Sequence, residues 1–223
     1  MLIKTTDLCR VYDSGKNTVS ALVNVNIAVE NGEFISIVGA SGSGKTTLMN
    51  ILGLLDLPDS GSYLFEGRDI SELSDKEISR IRNEKIGFIF QSFNLIPNLT
   101  TLENVCLPLE YRGVPKKQRT EKALAALQTV GLSHRVNHKP TELSGGQQQR
   151  AAIARAIAAE PELILADEPC GNLDSKAGGE IMQLLCGLNR TGKTLILITH
   201  DNSAARFADR IIRVTDGRVA PAG

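Results

Sequence analysis

Gly39-Ala40-Ser41-Gly42-Ser43-Gly44-Lys45-Thr46-Thr47 decides how this chain is read. The apolar run Phe34-Ile35-Ser36-Ile37-Val38 precedes it, and Leu48-Met49-Asn50-Ile51-Leu52 continues it in a helical pattern. Strand, glycine loop and helix in that order make a cradle for phosphate. Glycines at 39, 42 and 44 allow positive φ and turn successive N–H groups inward at a helix N-terminus. Lys45 adds a point charge for β- and γ-phosphates, and the Thr46 hydroxyl is placed to hold Mg²⁺. The same pattern arises by chance in Gly/Ser-rich surface turns. The flanking strand and helix favour a nucleotide site.

The rest of the chain is consistent with an α/β protein. Its 223 residues suffice for one large domain or two small ones. Lys plus Arg and Asp plus Glu both number 25, so no broad positive field argues for nucleic acid, and no nucleic-acid partner is expected. Cys9, Cys106, Cys170 and Cys186 show no C-x-x-C spacing, which disfavours zinc and a disulfide framework and fits a reducing compartment. No apolar run approaches the ~18 residues of a membrane span, and the N-terminus lacks a signal-peptide core.

Short β-rich pieces run from Leu2 to Val29, with alternation over 21–29 and a turn at Asn31-Gly32. Further strands are expected over 61–67 and 86–90, and Ser74 with Glu77 forms a capping box for a helix to Arg82. From Ser92 to about Ala159 helical patterns take over. One helix starts at Pro115, buries Ala123, Leu124, Leu127 and Val130, and ends at Gly131; another spans Gly145 to Ala159. Residues 163–166 and 194–199 read as buried parallel strands flanking a helix from about Gly178 to Leu188. Asp216-Gly217 marks a C-terminal hairpin.

Three further groups bear on chemistry. Asp167 and Glu168 stand where the strand 163–166 emerges; after a phosphate loop, one acid suits the Mg²⁺ shell and the other the attacking water. Leu143-Ser144-Gly145-Gly146-Gln147 opens a helix with the same anion-binding device as the first loop. From the residues alone it reads equally as a plain N-cap. His134 and His138 are four apart, but Gly131, Ser133, Asn137 and Pro140 around them indicate a loop and a solvated pair rather than metal ligands.

The combination of Gly39–Thr46, Gln91, the 143–147 pentapeptide, Ile164-Leu165-Ala166-Asp167-Glu168, Asn172-Leu173-Asp174 and His200 resembles the ATP-binding cassette (ABC) ATPases from end to end. More narrowly, 87–97, Leu102-Glu103-Asn104-Val105, 145–150 and 171–175 resemble the macrolide-exporter and lipoprotein-release subfamily (MacB/LolD type). The resemblance implies a P-loop NTPase core with a mainly parallel sheet, an N-terminal antiparallel β subdomain, and a helical subdomain at about 92–160, all within one domain of 223 residues. It implies ATP and Mg²⁺, bound by the loop residues Gly39, Ala40, Ser41, Gly42, Ser43, Gly44, Lys45, Thr46 and Thr47. Tyr12, with Val19 nearby, matches the aromatic position that stacks on adenine. Gln91, Lys45, Glu168 and His200 match catalytic positions, and Thr46, Gln91 and Asp167 the metal shell, Asp167 through water.

The same resemblance implies a head-to-tail homodimer around two ATP. Ser144, Gly145, Gly146 and Gln147 of one copy then face the γ-phosphate held by Lys45 of the other, and Asp174 contacts the partner. It further implies an integral-membrane permease and a peripheral position on the cytoplasmic face of the membrane. An ATP-switched regulatory or tethering subunit, as in relatives at cell division, is the alternative. Cys170 departs from the subfamily's usual Thr.

Overall fold

A computed structural model describes residues 1–13, 15 and 18–219. Its elements in chain order are β1 (Ile3–Asp13), β2 (Thr18–Val29), β3 (Phe34–Val38), α1 (Lys45–Leu52), β4 (Ser60–Phe65), β5 (Arg68–Asp69), α2 (Asp75–Lys85), β6 (Ile86–Ile89), α3 (Thr101–Tyr111), α4 (Lys116–Thr129), α5 (Gly145–Ile157), β7 (Leu163–Asp167), α6 (Ser175–Arg190), β8 (Thr194–Thr199), α7 (Asn202–Ala205), β9 (Arg210–Thr215) and β10 (Arg218–Val219). The fold is α/β, with an antiparallel sheet, mainly parallel strands elsewhere and helices between them. Two compact units are present: Met1–Arg82 with the described residues from Thr194 onward, and Asn83–Lys193.

In the first unit β2, β1, β4 and β5 form the antiparallel sheet in that order. The pieces expected over Leu2 to Val29 are in fact two strands of 11 and 12 residues. Bulges rather than turns absorb the breaks in their pattern. Leu8 pairs with Val25 but Arg10 with Leu22, so β2 carries an extra residue, and Asn24 takes φ 50° there. β3 lies parallel between β8 and β9. All five residues of β3 and all six of β8 are buried, as the continuous apolar runs require. Each fully buried Leu or Ile among them contributes about 1.5–3 kcal/mol. The hairpin turns at Asp216 and Gly217, φ 47° and 72°, and the Gly217 N–H donates to the Ser43 carbonyl at 2.9 Å, bracing the loop before α1.

In the second unit β6 and β7 pair in parallel. Among the described residues no strand lies between Ile89 and Leu163; α3, α4 and α5 fill that interval. α3 carried no independent helical signal in the sequence, since Pro108 interrupts it, yet Thr100 and Glu103 close a capping box at its start. Leu124, expected in the core, is 41% exposed, and Ala126 takes the buried position on α4. α6 begins at Ser175 rather than about Gly178, because the Asp174 carboxylate caps the Ala177 N–H at 2.8 Å and outweighs two glycines in the first turn. α5 ends at Ile157, and α2 runs on to Lys85. No helix among the described residues is long and apolar enough to cross a membrane.

Candidate functional site

The glycine loop leaves the end of β3, and its backbone cannot accommodate side chains at two points. A Cβ on Gly39 would lie 2.3 Å from the Val214 carbonyl oxygen; one on Gly44, at φ 103°, would lie 2.4 Å from that of Ala21. Gly44 is also the N-cap of α1 and supplies no side-chain cap, so the first-turn N–H groups are left to face an anion. Lys45 folds back over the loop, its ammonium donating to the carbonyls of Gly39 at 2.8 Å and Ala40 at 2.7 Å. These contacts hold the charge at the mouth of the cradle. The loop therefore fits a phosphate chain: uncapped backbone donors and a cation stand at the start of α1, and close packing of Gly39 and Gly44 on the Val214 and Ala21 carbonyls fixes the backbone that presents them.

Strand register brings a second group to this end. Thr199 pairs with Val38 in the parallel β8–β3 ladder, so His200 and Gly39 leave adjacent strand ends side by side. That is where open α/β sheets bind ligands. His200 is exposed, and Asp201 caps α7 through the Ser203 N–H. Tyr12 and Val19 are direct partners in the β1–β2 ladder, and both are exposed. The Tyr12 ring is held by two residues that sequence reasoning missed. Its hydroxyl donates to Asp56 at 2.9 Å, and the Arg10 guanidinium, bonded to Asp56 and Asp59, lies 4.9 Å from the ring centroid. The separation of 46 residues between Arg10 and Asp56 left no local signal.

The second unit repeats this geometry with different chemistry. Ile89 pairs with Ala166, so Phe90-Gln91 and Asp167-Glu168 leave neighbouring strand ends together. Glu168 takes φ 44°, a left-handed state costing about 1–2 kcal/mol for a non-glycine residue, and the Gly171 N–H donates to its carbonyl at 3.0 Å. Gln91 is fixed by Asn172: the Gln91 amide donates to Asn172 Oδ1 at 3.2 Å and the Asn172 amide to the Gln91 carbonyl at 3.0 Å. A Cβ on Gly171 would lie 2.7 Å from the Gln91 amide nitrogen, so a side chain there displaces the Gln91 amide from this position.

Ser144 caps α5 and closes a box with Gln147, at 3.3 Å to the Gln147 N–H and 3.0 Å back. The box settles the local role of Ser144 without using up the donors of Gly145 and Gly146. Both glycines line a cleft of about 310 Å³ that Arg150, Asn172, Asp174 and Glu180 also border, the Glu180 carboxylate being paired with Arg150 at 2.8 Å. A cleft holding open helix-terminal donors suits an anion. Asp174, beside capping α6, thus stands on the cleft wall. His138 pairs with Arg135 at 2.8 Å, and among the described residues no three His, Cys, Asp or Glu side chains could together hold a metal. Cys170 packs on α6, its thiol donating to the Gly178 carbonyl at 3.4 Å.

A family model described as ABC transporter matches residues 22–171, spanning the glycine loop, the α5 N-terminus and both acids. The chain belongs to the ABC transporter family. Among its ABC relatives, an ABC transporter ATP-binding protein of Methanocaldococcus jannaschii, MJ0796, is 52% identical over 223 residues, covering 98% of this chain and 95% of that one. The macrolide export ATP-binding/permease protein MacB of Vibrio parahaemolyticus is 50% identical over 219 residues. This chain spans 34% of the MacB length. Among solved ABC cassettes, the dimeric structure of MJ0796 superposes with a TM-score of 0.90 at 49% identity, covering 98% of this chain and 96% of that one. A second MJ0796 structure, a post-hydrolysis dimer bound to ADP and Pi, also gives 0.90.

Proposed function

We propose that this chain is the ATP-binding and ATP-hydrolysing subunit of an ABC transporter, working as a homodimer that closes on two ATP and drives an integral-membrane permease in export or substrate release. The observation that carries the reading is the loop 39–45, with Lys45 folded over it and the first-turn donors of α1 left without a side-chain cap. The post-hydrolysis MJ0796 dimer bound to ADP and Pi supports turnover and dimerisation, and the MacB relatives support a permease partner and a place at the membrane. Residues of about 92–160 serve as the helical subdomain of a single domain of 223 residues.

Each residue has one task in this reading. Tyr12, with Val19 beside it, offers a ring face to adenine. Gly39 to Thr47 bind the phosphates by backbone N–H groups, and Lys45 exchanges its two loop carbonyls for phosphate oxygens. Glu168, held in its strained turn, orients and polarises the attacking water; His200 contacts the γ-phosphate. The oxygen donors Thr46, Gln91 and Asp167, the last through water, suit a hard cation such as Mg²⁺, which when bound neutralises charge on the β- and γ-phosphates. Ser144, Gly145, Gly146 and Gln147 complete the site of a second copy, with Asp174 at that contact.

The test is turnover in purified protein. Glu168→Gln is expected to retain nucleotide affinity and lose hydrolysis by at least about a hundredfold, while Lys45→Ala loses affinity for ATP in a titration. Wild-type turnover in Glu168→Gln, or unchanged affinity in Lys45→Ala, contradicts the reading.

A further inference from the structure

The segment after β6 is held in a backbone state that it would not keep unaided. Phe93 and Asn94, two and three residues beyond Gln91, have φ of 61° and 50°. Two consecutive non-glycine residues in the left-handed region crowd each Cβ against the following carbonyl, and a bulky residue such as Phe93 is a clear outlier there. Two bonds within the turn support it, the Phe93 N–H to the Phe90 carbonyl at 3.2 Å and the Asn94 N–H to the Ser92 carbonyl at 2.6 Å, and a restraint from outside adds to them.

The restraint comes from the last turn of α5. Arg155 donates through Nη2 to the Phe93 carbonyl at 2.9 Å and through Nη1 to the Asn94 carbonyl. Burial pushes its pKa below the ordinary arginine value, and a guanidinium still charged in such a place needs the acceptors it has. The planar fork matches two adjacent carbonyls; a lysine ammonium is a single point and does not reproduce that geometry. The start of α5 also meets the segment, for a Cβ on Gly145 would lie 3.9 Å from the Phe93 ring. Asn172 grips Gln91 through two hydrogen bonds.

We infer that Arg155 is a positioning residue for Gln91: by holding the Phe93 and Asn94 carbonyls it fixes the turn that carries the glutamine and ties that glutamine to the helix whose N-terminus is Ser144. The inference rests on the assignment of Gln91 to the Mg²⁺ shell. A displacement of α5 then moves Gln91 with it.

The experiment measures ATP turnover of the full chain in a four-way set: wild type, Arg155→Lys, Gln91→Ala and the double variant. Arg155→Lys is expected to lower kcat about tenfold with KM little changed, and to lower it no further in the Gln91→Ala background. Asn94→Val runs the same test without touching α5, because a β-branched residue resists positive φ; it too is expected to act only where Gln91 is present. Equal losses with and without Gln91, for either variant, overturn the inference alone. An unchanged kcat in Gln91→Ala overturns the Gln91 assignment and the inference together.

Discussion

At the residue scale, the glycines of the loop are not equivalent, although all three looked alike in the sequence. Gly42 has φ 78° and open space around its Cβ position, so Gly42→Ala meets only backbone strain, about 1–2 kcal/mol. Gly44 combines φ 103° with a Cβ position 2.4 Å from a backbone oxygen of the β2 strand, which has no freedom to retreat. Urea denaturation is expected to show Gly44→Ala destabilised by at least twice the Gly42→Ala value; equal effects would remove close packing as the reason for Gly44. Gly39–Lys45 was legible because its chemistry is local, a run of seven residues from the end of β3 to the first residue of α1. The supports of Tyr12 were not, because Arg10, Asp56 and Asp59 meet only through the antiparallel sheet. Glu168 was legible as an acid after a strand, but its left-handed φ is set by the turn to Gly171 and has no sequence signature.

At the scale of elements, three helices in or entering the second unit start with reciprocal boxes, Ser74–Glu77, Thr100–Glu103 and Ser144–Gln147. The first was read in advance from its spacing; in the third the spacing was outweighed by the glycines beside it. The Thr100 N–H, followed by its hydroxyl, holds the Glu103 carboxyl below its ordinary pKa. A carboxylate depressed in the folded state contributes stability that is present above its unfolded pKa and lost as pH falls through the folded value. Glu103→Gln is therefore expected to be less stable than wild type at neutral pH, with the gap closing once the pH drops below about 4.5. A gap independent of pH in denaturant titrations would show that the ionised carboxylate adds nothing. β3, β8 and β7 were readable as continuous apolar runs, whereas α3 was not, because its apolar positions are broken by Pro108 and its cap alone gave no periodicity.

At the scale of the whole molecule, two helix N-termini suit an anion: that of α1, left without a side-chain cap at Gly44, and that of α5, where Ser144 caps Gln147 beside two glycines. One bound nucleotide needs a single phosphate loop, so in the proposed function the α5 N-terminus serves the site of another copy. Under that function two copies share their nucleotide sites. The measurement that tests it most directly mixes two inactive variants, Lys45→Ala and Ser144→Ala, and follows ATP turnover while differential tags report hetero-dimer formation. With head-to-tail sharing, each hetero-dimer regains one wholly wild-type site, and the mixture recovers roughly a quarter of wild-type activity. Confirmed hetero-dimers with no recovery would contradict it.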